Sequence, residues 1–454
     1  MAMFVAVLGV AIILISIPLV FLKPQWVFYL FITCITFTSI FYGYIVAVGN
    51  LGMPRTWTPA DFLVWLTLFA SFFCKGEQRQ SSGLMHKTII VLAIVCGISL
   101  ITGFIRHPYL AFTFSRTTYL VAAMIFAFRY LTTYSRVENF FKFSALLLVA
   151  MFAIHICIRF AIYTPPTVEE QYVTELGGER GGTTLVPMLY LALMGIAMAR
   201  LVTKQGKSLL SAILLIIAIA GIVLTETRST YGAAGVMVVA SLLFAPGKVK
   251  NFIFLGLAAL AVIFIAARTG FDFFERFKGE YEGEYAITLE EGSWRTMEYG
   301  MVVNSYRDEP YLLLTGRGVG AWHLSPQRID PYVSYYHSEY LGWLDRCGII
   351  GLVSILILMI ATLRRSWIMM RTDNRQLQFI GTTCFLVMIA SAAEGIFHPI
   401  FSHQRGAALL ICFVSIMANW ELLFHGIYEK VSSDYIEQYP QENTFGTTAI
   451  LRGA

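Results

Sequence analysis

Long runs of apolar residues, repeated along most of the 454-residue chain, are the feature that most restricts what it can fold into. A helix needs about 20 mostly apolar residues to cross the ~30 Å hydrocarbon core of a bilayer. Thirteen stretches meet this need: 2–22, 26–46, 58–74, 88–105, 116–133, 140–163, 184–203, 208–225, 230–246, 251–267, 341–363, 376–398 and 405–425. Because a lipid-exposed backbone must satisfy its own hydrogen bonds, the pattern predicts an all-α polytopic membrane protein with about 12–13 transmembrane helices.

The composition supports this class and excludes others. Only 13% of the residues are charged and 57% are hydrophobic, whereas a soluble surface needs about a quarter of residues charged. An ordinary soluble enzyme and a disordered chain are therefore excluded. The seven cysteines lie in or at the ends of apolar runs without a CxxC pair, so they indicate small apolar residues and not a disulfide framework. A net charge of +5 is too small to indicate a nucleic-acid partner.

The sidedness follows from lysines and arginines in short connections, which favour the cytoplasm. Four basic connections fall on one side when the spans are counted: 75–87, 200–207, 248–250 and 364–375. The long segment 268–340 then lies outside, and its seven basic and twelve acidic residues give −5, which leaves +10 elsewhere. We expect a multi-pass membrane protein; in a bacterial inner membrane this topology would place the segment 268–340, here called the cap, in the periplasm.

This topology divides the chain into four regions. They are about ten transmembrane helices in 1–267, a periplasmic cap loop in 268–340, three transmembrane helices in 341–425 and a cytoplasmic tail in 426–454. The cap is too long to be a passive connector, and two helix-start signals predict that it is partly helical. A capping box at 288–291 predicts a helix that ends near Asp308, before Pro310. Asp330 and Pro331 predict a second helix that leads into the span at 341.

Three residues on the predicted periplasmic side are candidates for chemistry. Arg228 lies at a membrane boundary, Arg295 lies on the first cap helix, and His337 lies where the cap re-enters the membrane. A guanidinium can bind a phosphate through two hydrogen bonds, and a neutral imidazole can accept a proton near pH 7. Each also has a purely structural interpretation: a snorkelling arginine, a surface ion pair and an isolated structural histidine.

Secondary candidates come from three other places in the sequence. Arg317, within the glycine-rich run Gly316–Gly320, is a candidate for a second phosphate contact, although the run itself indicates a tight turn because it lacks the strand and helix of a nucleotide loop. Glu394 lies near His398 and His403, and His155 shares a helix face with Arg159. Neither group has the ligand set expected of a metal site, so no metal and no cofactor are predicted.

The order of these features resembles the O-antigen ligase and O-antigen polymerase superfamily of bacterial membrane glycosyltransferases. The similar stretches, from about 184 to 400, are Thr227-Arg228-Ser229, an arginine-bearing cap helix, Pro310 followed by Gly316–Gly320, and His337-Ser338-Glu339-Tyr340-Leu341 leading into Arg346-Cys347-Gly348 and Gly351-Leu352. The family often has asparagine after the histidine, and this chain has Ser338 instead.

The resemblance implies an inverting, metal-independent transfer in lipopolysaccharide biosynthesis. An undecaprenyl-pyrophosphate-linked glycan would be the donor, and a hydroxyl of lipid A-core would be the acceptor. Membrane lipids would surround the transmembrane helices. Arg228 and Arg295 would bind the pyrophosphate, and His337 would be the general base. We favour the ligase.

Other functions stay open at this point. An O-antigen polymerase would use the same donor with a second carrier-linked repeat as acceptor, and a protein hydroxyl is a third acceptor. From another class, a lipid or oligosaccharide transporter would show repeated halves and ionisable residues at mid-membrane. In this sequence the prominent polar residues gather instead at one boundary and in one loop.

Overall fold

The computed structural model describes most of the membrane helices and part of the cap. The described residues are 2–37, 59–74, 83–108, 111, 117–159, 187–225, 228–244, 294–321, 323–324, 332–333, 338–396, 401 and 404–427. The first nine helices are α1 Ala2–Leu22, α2 Pro24–Thr36, α3 Pro59–Ala70, α4 Leu84–Arg106, α5 Thr117–Tyr130, α6 Tyr134–Arg159, α7 Pro187–Thr203, α8 Ser208–Leu224 and α9 Arg228–Phe244. The remaining elements are α10 Trp294–Asp308, α11 Leu312–Thr315, β1 His323–Leu324, β2 Tyr332–Val333, α12 Glu339–Met370, α13 Arg375–Glu394, α14 Gln404–Ala418 and α15 Trp420–Ile427.

The predicted class, an all-α polytopic membrane protein, is confirmed. Within the described ranges, four helices are long and apolar enough to cross a membrane: α4, the 134–157 part of α6, α12 and α13. The pair α14 and α15, bent by 59°, makes a fifth span if it crosses as one unit, and seven further apolar helices are shorter. The predicted span at 251–267 lies outside the described residues, so the count of 12–13 stays a prediction.

Helix α13 lies at the centre of the bundle, against α7, α9 and α12. Its buried residues include a group of small ones, among them Gly381, Thr382 and Ser391. A side-chain carbon added at Gly195 of α7 would lie 2.7 Å from Val387 of α13. Small residues let membrane helices approach closely and gain van der Waals contact, since lipid tails offer no hydrophobic drive between helices. The small residues of α13 therefore explain its central position.

The flanks of three predicted basic connections lie at one end of the bundle. The ring of Phe244, at the end of α9, lies 5.0 Å from that of Trp367 near the end of α12. The guanidinium of Arg200, near the end of α7, lies 5.8 Å from the ring centre of Phe379 in α13. The position of these flanks at one end of the bundle agrees with the prediction that the basic connections lie on one side of the membrane. The assignment of that side to the cytoplasm stays a prediction.

One predicted cap helix is confirmed and the other is wrong. Helix α10 ends at Asp308, before Pro310, as predicted, while its predicted capping box at 288–291 lies outside the described residues. Where Asp330 and Pro331 predicted a helix start, Tyr332 and Val333 form strand β2, which pairs antiparallel with β1. Tyrosine and valine favour strands, and the ladder satisfies backbone groups that a local capping signal does not consider. The helix begins only at Glu339.

Candidate active site at the cap end of the bundle

Three helix ends meet at Glu394, the last residue of α13. Its side chain is only 1% exposed. Its Oε1 accepts hydrogen bonds from the hydroxyls of Ser229 and Thr230, in the first turn of α9, each at 3.0 Å. These two bonds join the beginning of α9 to the end of α13, across 164 residues of sequence in the case of Thr230.

The beginning of α12 is joined to the same place. The backbone N–H of Glu339 donates to the carbonyl of Gly395 at 2.9 Å. The Tyr340 hydroxyl donates to the carbonyl of Ala392, also at 2.9 Å. The indole N–H of Trp343 donates to the carboxylate of Glu339, which is itself buried. The end of α13 therefore braces the first turns of both α9 and α12.

Two of the predicted site residues are next to described residues of the brace in the sequence. Arg228 is the first residue of α9 and directly precedes Ser229. His337 directly precedes Ser338, the N-cap residue of α12. The side chain of Arg228 and the whole of His337 lie outside the described residues. The structure thus brings together the residues that follow Arg228 and His337 in the sequence. The roles of Arg228 and His337 themselves stay predictions.

The brace contains two buried oxygen atoms that are open to hydrogen bonding. Among the described residues, neither the hydroxyl of Ser338 nor Oε2 of Glu394 has a hydrogen-bond partner, although both are buried. A Ser N-cap normally accepts from the helix N–H groups, but that of α12 makes no such bond. Unpaired buried polar atoms are costly. They are therefore suited to bind a polar group that enters the site.

The helix that carries Arg295 packs against the beginning of α12. Helix α10 carries Val302 and Tyr306, which form an apolar cluster with Leu341 of α12. The Tyr306 hydroxyl donates to the carbonyl of Leu344 at 2.8 Å. Burial, followed by the negative charge nearby, raises the pKa of Tyr306 and keeps this donor protonated. Arg295 lies seven residues before Val302, at the same register of the helix, and its side chain lies outside the described part.

The glycine-rich run forms the predicted tight turn. Gly316, Gly318 and Gly320 have φ of 81°, 96° and 85°, a region that residues with a side chain rarely adopt. The backbone N–H of Arg317 donates to the carbonyl of Asp345 at 2.7 Å. The turn is thus bound to α12 through the main chain.

Arg317 itself forms a buried ion pair. Its Nε and Nη2 donate to the two carboxylate oxygens of Asp345 at 2.7 and 2.9 Å. The carboxylate is fully buried and the guanidinium is 15% exposed. A pair of this geometry has a structural role because it neutralises a buried charge. It lies in the cap base, by which we mean residues 309–321 and their contacts with α4 and α12. Contact of Arg317 with phosphate stays a prediction.

Helix α12 breaks where this turn meets it. Gly348 has φ 67° and ψ −171°, which interrupts an otherwise continuous helix of 32 residues. A side-chain carbon added there would overlap the carbonyl of Leu314, and one added at Gly318 would lie 2.5 Å from the backbone N of Gly103 in α4. The cap base therefore contacts α4 and α12 backbone to backbone.

Three histidines were also singled out from the sequence. His155 is buried, with Nδ1 3.2 Å from the Tyr190 hydroxyl. His398 and His403 lie outside the described residues. Within the part of the chain that the structure describes, no three His, Cys, Asp or Glu side chains form a group that could hold a metal ion.

Two residues of the site were not singled out from the sequence. Glu339 and Asp345 are both acids inside the apolar helix α12. Ionisable residues within membrane helices are costly and mark functional or structural sites. That signal could have found both. The bonds of Glu394 to Ser229 and Thr230 had no comparable signal.

The fold and the site define a polytopic membrane protein with a capped, polar end. Residues 213–356 match the family model described as O-antigen ligase, from α8 through α9 and the cap into α12. The match covers about a third of the chain and supports the resemblance to the O-antigen ligase and polymerase superfamily that the motifs indicated. A search of curated proteins found no match. The family supports a glycosyltransferase-type function on lipid-linked glycans.

Proposed function

We propose that the protein is an O-antigen ligase, which transfers a glycan from undecaprenyl pyrophosphate to a hydroxyl of lipid A-core at the periplasmic face of the bacterial inner membrane. The family match supports the reaction class. The shared end of the basic connections supports the sidedness, with the cap and the brace around Glu394 in the periplasm and the C-terminus in the cytoplasm.

In the proposed reaction His337 takes the proton of the acceptor hydroxyl. The acceptor oxygen attacks the anomeric carbon from the side opposite the pyrophosphate, so the new bond forms with inversion. The old carbon–oxygen bond breaks, and the pyrophosphate leaves with the electron pair. Arg228 and Arg295 bind the pyrophosphate and stabilise its growing charge without a metal ion.

The observation that carries the proposal is the brace at the end of α13. Glu394 holds Ser229 and Thr230, and Gly395 holds Glu339. A base and a cationic anchor can act on one substrate only if they stay close to each other and rigid. The brace fixes the residues that follow Arg228 and His337 in the sequence, which supports a shared site.

Purified protein in liposomes tests the proposal with the carrier-linked glycan as donor and lipid A-core as acceptor. We expect His337→Ala to lower the transfer rate by ~10²–10⁴, the usual contribution of a general base. Arg295→Ala should lower it by ~10²–10³, as for loss of one charge-stabilising group. Arg307→Ala is the matched control, because Arg307 is exposed on the same helix. Transfer at the wild-type rate by His337→Ala would refute the assignment.

The same assay separates the alternative acceptors. Offering a second carrier-linked repeat in place of lipid A-core, with product length as the readout, distinguishes polymerase from ligase, and the family match is compatible with both. A lipid or oligosaccharide transporter would move the glycan lipid between leaflets without any covalent product.

A further inference from the structure

The outer limit of the hydrocarbon layer can be located on two helices that hold the cap. In α12, residues 347–363 carry no charge and are bounded by Arg346 and Arg364. The fifteen helical residues after the break at Gly348 span roughly 22 Å, and Cys347 and Gly348 lengthen the uncharged run toward the thickness of a hydrocarbon core. In α4 the apolar run ends at Arg106. The boundary therefore lies near Arg106 on α4 and near Cys347 on α12.

The segment 309–316 of the cap lies at this boundary. The backbone of Leu314 contacts Gly348, one residue beyond Cys347. On α4, the guanidinium of Arg106 donates to the carboxylate of Glu309 at 2.8 Å and to the Tyr311 hydroxyl at 3.1 Å. Contacts to both helices fix the position of this segment along the membrane normal.

The three leucines of α11 face different surroundings. Leu312 is 3% exposed and belongs to the apolar cluster inside the cap. Leu313 and Leu314 are 40% and 57% exposed. We expect two exposed leucines in a segment at the boundary to contact an apolar partner, because leaving such side chains in water is unfavourable.

The exposed leucines continue a surface that already faces lipid. Ile349 and Ile350 of α12, which follow the glycine touched by Leu314, are 41% exposed, and Ile105 of α4 is 77% exposed. Tyr311 accepts a hydrogen bond from Arg106, so its hydroxyl lies beside the ion pair of Arg106 and Glu309. Aromatic residues with a polar end favour this position at the headgroup level. Exposed apolar side chains thus lie on both membrane helices and on the cap segment that contacts them.

We propose that Leu313 and Leu314 insert among the acyl chains of the leaflet on the cap side, so that the base of the cap is anchored in the membrane and not held above it. The occupant of this surface is bulk lipid. Arg106 and the tyrosine hydroxyl lie at the headgroup level above it, where a long cationic side chain keeps its charge hydrated. The proposal rests on the membrane fold alone and not on glycan transfer.

Fluorescence of an introduced tryptophan tests this in liposomes, with the signal of the eight native tryptophans subtracted. We expect the emission of Leu314→Trp to lie at shorter wavelength than that of Asn304→Trp, a control at an exposed polar position of α10. Lipids brominated on their acyl chains should quench Leu314→Trp, and aqueous iodide should not. The control should show the opposite pattern.

Leu313→Trp provides a second probe if the first variant is not recovered in folded form. Quenching of both probes by iodide and not by brominated lipid would overturn the proposal and place the segment in water. Shielding of both from the two quenchers would also overturn it, because it would mean that protein, such as a second copy of the chain, covers the surface.

Discussion

Replacement of Gly348 by alanine tests whether the broken helix holds the cap in place. With φ 67° and ψ −171°, Gly348 occupies a backbone region that is essentially reserved for glycine and costs other residues about 1–3 kcal/mol. The added methyl group would also overlap the carbonyl of Leu314 and lie 2.6 Å from the backbone N of Gly316. Both are main-chain atoms that cannot rotate away.

Overpacking of this kind costs about a further 1–3 kcal/mol, so the sum is about 2–6 kcal/mol. The strain is relieved if residue 348 becomes helical, which alanine favours. A straight α12 would no longer present the carbonyl of Asp345 to the N–H of Arg317. The expected result is a destabilised protein in which the cap has separated from α12.

The assay is the free energy of unfolding in a lipid or detergent environment, combined with protease cleavage of the cap. Gly300→Ala is the control, since a side-chain carbon there would meet nothing within 4 Å. Gly300 lies inside α10, so its replacement should stabilise by about 0.5–1 kcal/mol. A Gly348→Ala protein with wild-type stability and an uncleaved cap would refute the reasoning.

Three further predictions concern ionisable side chains. Asp345→Ala should destabilise by about 3–5 kcal/mol because it leaves the guanidinium of Arg317 without its carboxylate, and the combined Asp345→Leu and Arg317→Met protein should recover part of that loss in the same unfolding assay. Glu394→Ala should cost about 1–3 kcal/mol, since the hydroxyls that it binds lose their acceptor; equal unfolding free energies for Glu394→Ala and Ser229→Ala proteins and the wild type would contradict the brace. Burial, followed by the charge of Arg317, lowers the pKa of His107 below its ordinary 6.5, so the unfolded chain binds the proton more readily and stability should fall as the pH drops below about 6.5; His107→Gln should flatten this part of the profile of unfolding temperature against pH.

The membrane helices were predictable because each needs a long run of apolar residues to cross the hydrocarbon core. The predicted span 2–22 coincides with α1, and the predicted span 376–398 overlaps α13 at Arg375–Glu394. Apolar length can be recognised in a short window of sequence, and helix ends follow from the first charges beyond it. The end of α10 before Pro310 was predictable for a similar local reason, since proline cannot continue a helix.

The tertiary contacts of the site were not predictable from such windows. Glu394 and Thr230 are 164 residues apart, and no periodicity connects them. The break at Gly348 was hidden in an apolar run that also fits a continuous span. The strand at Tyr332 arises from pairing with Leu324, a partner that a capping signal does not include. In each case a distant segment decides the local conformation.

The joint between the cap and the membrane helices is formed by main-chain atoms. At Gly103, Gly316, Gly318 and Gly348 the fit depends on atoms that every residue has and on side chains that are missing. Such a joint tolerates no larger residue at these four positions, because the added carbon would meet backbone atoms that cannot rotate away. The spacing of these glycines therefore sets how closely the cap approaches the membrane helices at this place.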